Sequence, residues 1–272
     1  LYEDQAILVI TDDEASSRRL TDDINEMYGD KLAYAYPAKD FTLTNVESVS
    51  REYEYARLEV LSKLLSKECG IVVASIEAAL QKTIPPEKLN GRTIILKTNQ
   101  EIAVKDLTER LVSAGYSRAE QVEGVSQFSI RGAIVDIFPV QCAFPIRIEL
   151  WGDEIDTMSY FDTETQRRTE NIEEIAISPA LEVLFDSTED FIEKINSLSK
   201  SARGKRTDLI RENLAKDLDR LECGVTLANI DKYLPLAYET PATIFDYVNG
   251  IVCMSEFRNI TEKSKAFLTQ HN

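Results

Sequence analysis

The sequence predicts an α/β protein in which a parallel-sheet domain with crossover helices is interrupted by an inserted α+β domain of antiparallel hairpins. Three observations carry this. From residue 6 to residue 80, short apolar runs alternate with helical stripes. That is the pattern of strands buried on both faces and joined by helices. Between Val122 and Ile177 the alternation gives way to period-two runs divided by turn residues, which is the mark of hairpins. Beyond Pro179 the helical spacing returns. The chain therefore divides into residues 1–91 (first part of the α/β domain), 92–180 (the insertion) and 181–272 (second part of the α/β domain).

The elements follow in order. Residues 6–10 (AILVI) read as a buried strand, and Thr11 or Asp12 would cap the helix carrying Leu20 and Ile24. Residues 32–36 (LAYAY) are a strand stopped by Pro37. Residues 51–66 are a helix with Leu58, Leu61 and Leu65 on one stripe. Residues 71–74 (IVVA) are a strand, and Ser75 caps a helix bearing Ile76 and Leu80. Ile84-Pro85-Pro86 and Asn90-Gly91 are breakers. Residues 93–97 are a strand, and residues 103–114 a helix with Val104, Leu107, Leu111 and Val112 at helical spacing. After the hairpins, Ile210, Leu214, Leu218 and Leu221 form a stripe. Strand IVCM (251–254) and a helix with Ala266 and Leu268 end the chain.

Composition excludes several function classes. The chain has 31 basic and 47 acidic residues, a formal charge of −16. Duplex binding rests on neutralising phosphates with Lys and Arg, so a general DNA-binding role is disfavoured. No apolar run approaches the roughly 18 residues that span a bilayer. The cysteines (Cys69, Cys142, Cys223, Cys253) lack C-x-x-C spacing and read as reduced thiols of a cytoplasmic protein. The opening LYEDQAILVI has no initiator Met, so the chain reads as an excised fragment.

Catalytic constellations are equally poor. A phosphate loop needs G-x-x-x-x-G-K-[ST], so that amides, a Lys and a hydroxyl converge. Gly204-Lys205 lacks the first Gly and the preceding strand. Ser255-Glu256 follows the last strand, where a hydrolase would place Asp-Glu to hold Mg²⁺. The acids after AILVI (Asp12, Asp13) read as helix-capping groups. The single His, His271, leaves His-based triads without a base. Asp153, Glu154 and Asp156 read as a solvated strand edge, and Arg167-Arg168 beside Glu164 and Glu170 as a turn laced with ion pairs. The α/β domain thus reads as a degenerate nucleotide-hydrolase-like fold, with no cofactor, metal or catalytic residue expected.

The hairpin region carries the sharpest signal. Alternation puts Ser126, Phe128, Ile130 and Ile134 on one face and Ser129, Arg131 and Val135 on the other. On the next run Ile146, Ile148 and Leu150 are apolar, and Arg147, Glu149 and Trp151 stand between them. Two arginines, a carboxylate and the single Trp would share a polar face. Arg and Trp are enriched at protein-binding hot spots. The bland alternative is a Trp in the core and solvated arginines.

The run from Gly115 to Ala180 resembles the UvrA-binding domain of bacterial transcription-repair-coupling factors (Mfd), and a related domain occurs in the excision-repair helicase subunit UvrB. RGAIVDIFP, RIELWGDEI and FDTETQR carry the resemblance in combination. IVVASIEAALQ and PPEKL extend it toward the N-terminus, so that it covers nearly all of the chain and is loosest beyond residue 185. It implies a non-catalytic recruitment module whose ATPase motifs are lost. It maps partner contacts onto Arg131, Arg147 and Trp151, with Glu149 on the same face. The implied partner is UvrA, brought to stalled RNA polymerase. RNA polymerase and DNA would be engaged by other domains, and a C-terminal domain of the full-length protein would cover the UvrA surface. The competing readings are a fragment of a nucleotide-dependent motor or helicase subunit, and a sequence-independent DNA-binding module.

Overall fold

The computed structural model describes residues 5–39, 51–201, 203, 207–223, 227 and 229–271; Gly204-Lys205 lies outside them. In chain order the elements are β1 (Ile7–Thr11), α1 (Glu14–Tyr28), β2 (Ala33–Tyr36), α2 (Glu52–Leu65), β3 (Ile71–Ser75), α3 (Ile76–Leu80) and α4 (Pro86–Arg92). There follow β4 (Ile94–Lys97), α5 (Val104–Ser113), β5 (Ser117–Arg118), β6 (Gln127–Arg131), β7 (Ile134–Ile137), β8 (Ile146–Trp151), β9 (Glu154–Phe161), β10 (Arg168–Asn171) and β11 (Glu174–Ile177). The remainder forms α6 (Thr188–Ser201), α7 (Thr207–Glu222), α8 (Leu234–Ala237), β12 (Ile251–Met254) and α9 (Phe257–His271).

The apolar runs pair in parallel, in the order β12-β1-β3-β2. Leu8, Ile10, Tyr36, Val72 and Val73 are fully buried in this layer, as expected of strands covered on both faces. Of the candidate caps of α1, it is the last, Asp13, that serves, and not Thr11 or Asp12. Thr11 still belongs to β1, paired with Ser75, and its hydroxyl donates to the Asp13 carbonyl at 2.9 Å. Asp13 is therefore the cap, and its carboxylate accepts the Ser16 amide at 2.8 Å. Ser75 caps α3 as predicted, accepting from the Ala78 amide. The breakers at 84–91 are also corrected, because Pro86 occupies the first turn of α4 and Asn90-Gly91 lie within it. Proline is compatible with a first turn, where its missing N–H has no helical partner anyway.

The antiparallel region forms a sheet in the order β10-β9-β8-β7-β6-β5, and β4 pairs separately with β11. Here the sequence-derived faces need correction. Gly132 (φ 63°) and Ala133 form a two-residue turn that pairs Arg131 with Ile134. Residues paired across such a hairpin point to the same side of the sheet. Counting parity straight through the turn inverts the second strand. Ile134 therefore shares the face of Arg131, and Val135 lies with Ile130, Ile148 and Met158 on the core face. A second glycine turn, Gly152-Asp153 with φ 64° at the glycine, pairs Trp151 with Glu154.

A buried ionic knot ties the segment after β11 to the α/β layers. Glu182 is fully buried and accepts from Arg57 Nε at 2.7 Å, Lys39 Nζ at 2.9 Å and the Thr83 hydroxyl at 2.6 Å. Arg57, also fully buried, donates to the Pro37 carbonyl and lies 4.2 Å over the Tyr36 ring. Burial alone would raise the Glu182 pKa, but the Arg57 and Lys39 charges outweigh it and hold the carboxyl at about 2. Glu54, whose carboxylate accepts the Glu182 amide at 2.8 Å, behaves oppositely. Burial, with Asp231 adding repulsion, pushes it up to about 8.

Candidate docking face

The polar face is built from the register outward. Ser129, Asp136, Arg147 and Ser159 stand in line across β6, β7, β8 and β9. Arg131, Ile134, Glu149 and Thr157 form the next line. Trp151 and Glu154 close the face at the Gly152 turn. The strands hold these side chains rigidly, because the opposite face of the same sheet is sealed by Phe128, Ile137, Ile146, Ile148 and Met158.

Trp151 is 84% exposed. It is not a core residue, and an indole so fully in water at the end of a sealed strand is unusual for its apolar area. The structure brings Arg131, Arg147, Glu149 and Trp151 onto one face, as the alternation predicts. Their individual surroundings differ.

Arg147 is largely consumed internally. Its Nε and Nη2 donate to the Asp136 carboxylate at 2.7 and 2.9 Å, in the bidentate fork suited to guanidinium and carboxylate. Its Nη1 and Nη2 also donate to the Gln166 backbone carbonyl and side-chain oxygen at 3.1 and 3.0 Å. The guanidinium lies 4.4 Å over the buried Phe161 ring. Hydrogen bonding to Asp136, the largest effect, holds the Arg147 pKa above its ordinary value. Arg131 shares the same carboxylate, with Nη2 donating to Asp136 Oδ2 at 2.6 Å, yet its side chain is 46% exposed. Glu149 does not orient Arg147. It pairs instead with Arg168 from β10 and accepts weakly from the Thr157 hydroxyl at 3.4 Å. Arg168 thus belongs to the face and not to an isolated turn with Glu164 and Glu170.

Sequence reasoning missed Asp136, Gln166 and Arg168. For Asp136 a signal was present. A lone carboxylate between Val135 and Ile137 in an otherwise apolar strand implies a buried acid, and buried acids are paired. Gln166 and Arg168 reach the face through the return from β9 to β10, which alternation within one strand does not reveal.

The nucleotide-binding alternative finds no support at the first crossover. The β1–α1 connection consists of Asp12 and Asp13, both beside Lys263 at 3.2 and 3.7 Å. Phosphate binding would need open amides and a free Lys there. Ser255 follows β12 and gives its backbone amide to Ile10 O at 2.9 Å. Among the described residues no group of three or more His, Cys, Asp or Glu side chains could hold a metal ion, and no helix is long and apolar enough to cross a membrane.

Residues 94–182 match the family described as the UvrB interaction domain. The chain is 32% identical over 266 residues to a transcription-repair-coupling factor of Bacillus subtilis (strain 168), covering 94% of this chain and 22% of that protein. It is 28% identical over 276 residues to the transcription-repair-coupling factor of Staphylococcus aureus (strain MRSA252), covering 98% of this chain and 23% of the relative. It is a segment of the transcription-repair-coupling-factor family. The chain spans between a fifth and a quarter of the length of these relatives. Within this coupling-factor segment the matched stretch opens in β4 and closes at Glu182, the carboxylate of the buried knot. The face bearing Trp151 and the arginines lies wholly inside it.

Proposed function

We propose that this chain is the recruitment module of a transcription-repair-coupling factor, and that the β6–β9 face docks the nucleotide-excision-repair protein UvrA. It acts by binding alone. The observation that carries the reading is Trp151, 84% exposed on the same polar sheet face as Arg131 and Arg147. An exposed indole sharing a face with guanidinium groups suits a partner that offers an apolar slot with carboxylates nearby. The match to the UvrB interaction domain supports the same assignment. In the full-length protein this recruitment would serve transcription-repair coupling, with RNA polymerase and DNA engaged elsewhere in the polypeptide. We propose residues 92–180 as the docking unit, with 1–91 and 181–272 completing one α/β unit.

Calorimetric titration of purified UvrA into the chain tests this directly. Saturable binding is expected. Absence of heat and of co-elution at micromolar concentrations of both proteins would remove the assignment.

A further inference from the structure

We propose that Asp136 is the positioning residue of the docking face, acting on UvrA through Arg131 and Arg147 without touching the partner. This rests on the UvrA-docking reading above. Asp136 sits on β7, between the two strands that carry the arginines, and only 2% of its side chain is exposed. Its two oxygens receive three guanidinium bonds, from Arg147 Nε (2.7 Å), Arg147 Nη2 (2.9 Å) and Arg131 Nη2 (2.6 Å).

The geometry assigns different duties to the two arginines. Arg147 makes four hydrogen bonds within the chain, to Asp136 and Gln166. A guanidinium has five N–H groups, so Arg147 retains a single free donor. It shields Phe161 and works mainly as a strut. Arg131 spends one bond on Asp136, and almost half of its side chain remains in water. Most of its donors are therefore free for a partner. Two guanidinium groups this close repel one another unless a shared anion intervenes. Asp136 is that anion. It holds both forks in one orientation before docking, so less side-chain entropy is lost when a partner carboxylate arrives. Without it Arg131 keeps its charge but loses its aim.

A double-mutant cycle separates positioning from a merely structural role. UvrA affinity is measured by calorimetry for the unmodified chain, Asp136→Asn, Arg131→Ala and the double variant, each with a thermal melt. Asp136→Asn is expected to weaken binding about tenfold, on the scale of one lost charge-assisted bond. In the Arg131→Ala background the same change should cost about threefold or less, because the group it positions is gone. Combined with Trp151→Ala, which touches neither arginine, Asp136→Asn should keep its full effect. A fold-change for Asp136→Asn that is equal with and without Arg131 overturns the proposal. So does unchanged affinity in a folded Asp136→Asn chain. If Asp136→Asn does not fold, Asp136→Glu carries the cycle, since it keeps the anion and displaces the forks by one methylene. If neither folds, Asp136 is a structural residue and the assignment is withdrawn. Failure of the unmodified chain to bind UvrA overturns the docking reading, and this one with it.

Discussion

Truncating Trp151 to alanine should cost binding and spare the fold, and the size of each effect follows from its exposure. A tryptophan side chain presents roughly 250 Å² at most. With 84% already in water, only about a sixth of that, on the order of 40 Å², is buried by folding. At about 25 cal/mol per Å² the loss to stability is about 1 kcal/mol, far below the 3–5 kcal/mol typical of a core Trp→Ala change. The same arithmetic applied to the exposed part sets a ceiling of about 5 kcal/mol for covering the indole completely. Docking loses part of that to ordering, so the expected cost to UvrA affinity is about 2–4 kcal/mol, the range of a hot-spot residue. Calorimetric titration gives the second number and a urea melt gives the first. Affinity within twofold of the unmodified chain, or a stability loss above 3 kcal/mol, would refute the reasoning.

Three further outcomes are expected. Glu182→Gln leaves Arg57 and Lys39 buried beside a neutral group and should cost about 3–5 kcal/mol of stability, as breaking a buried ion pair does; a urea midpoint shift equivalent to less than 1 kcal/mol would show the knot to be dispensable. Stability should also vary with pH in two opposing windows. Glu182 has its pKa lowered from 4.5 to about 2, so its contribution is present above 4.5 and is lost as pH falls toward 2. Glu54 has its pKa raised from 4.5 to about 8, so the folded chain holds the extra proton and stability falls as pH rises between those values. Glu54→Gln should flatten the upper window in melts recorded from pH 4.5 to 8, and an unchanged slope would exclude Glu54 as its source. Finally, the proposed boundaries predict that residues 92–180 made alone fold; a random-coil circular dichroism spectrum for that piece would move the boundaries.

Much of the fold was legible because the strongest periodicities coincide with the best-buried elements. AILVI and IVVA predict strands, and β1 and β3 pair side by side at the centre of the parallel sheet. Leu58 and Leu61 predict an inward stripe, and both are fully buried in α2. The errors fall where a local signal has two physical outcomes. Pro85-Pro86 reads as a break, but a proline also opens a helix, and α4 begins there. Thr11, Asp12 and Asp13 are all capable caps, and the register of β1 against β3 selects the last. The inverted faces of Ile134 and Val135 have the same character. Alternation gives parity within a strand, but only the length of the turn relates one strand to the next. The site was legible as a set of residue types on one face. Its wiring was not, because Asp136, Gln166 and Arg168 act through pairing between strands far apart in sequence.

That wiring changes how the face should be understood. A chain with a formal charge of −16 is an unlikely place to find cations free to meet a partner. Here they are kept from the surrounding acids by a division of labour. Asp136 holds Arg147 and Arg131 from beneath, and Glu149 holds Arg168 from the side. Each acid engages the arginines at the sheet surface, and the exposed part of Arg131 and the indole of Trp151 project beyond it. The exposed Glu149–Arg168 pair contributes little to stability, whereas the nearly buried Asp136–Arg147 fork also helps to hold the sheet together. They are a good device for presenting guanidinium groups in fixed orientation, where each bond to a partner costs less entropy than it would from a free side chain. On the docking reading proposed above, the sealed apolar face supplies most of the stability, and the polar face is left to specify the partner.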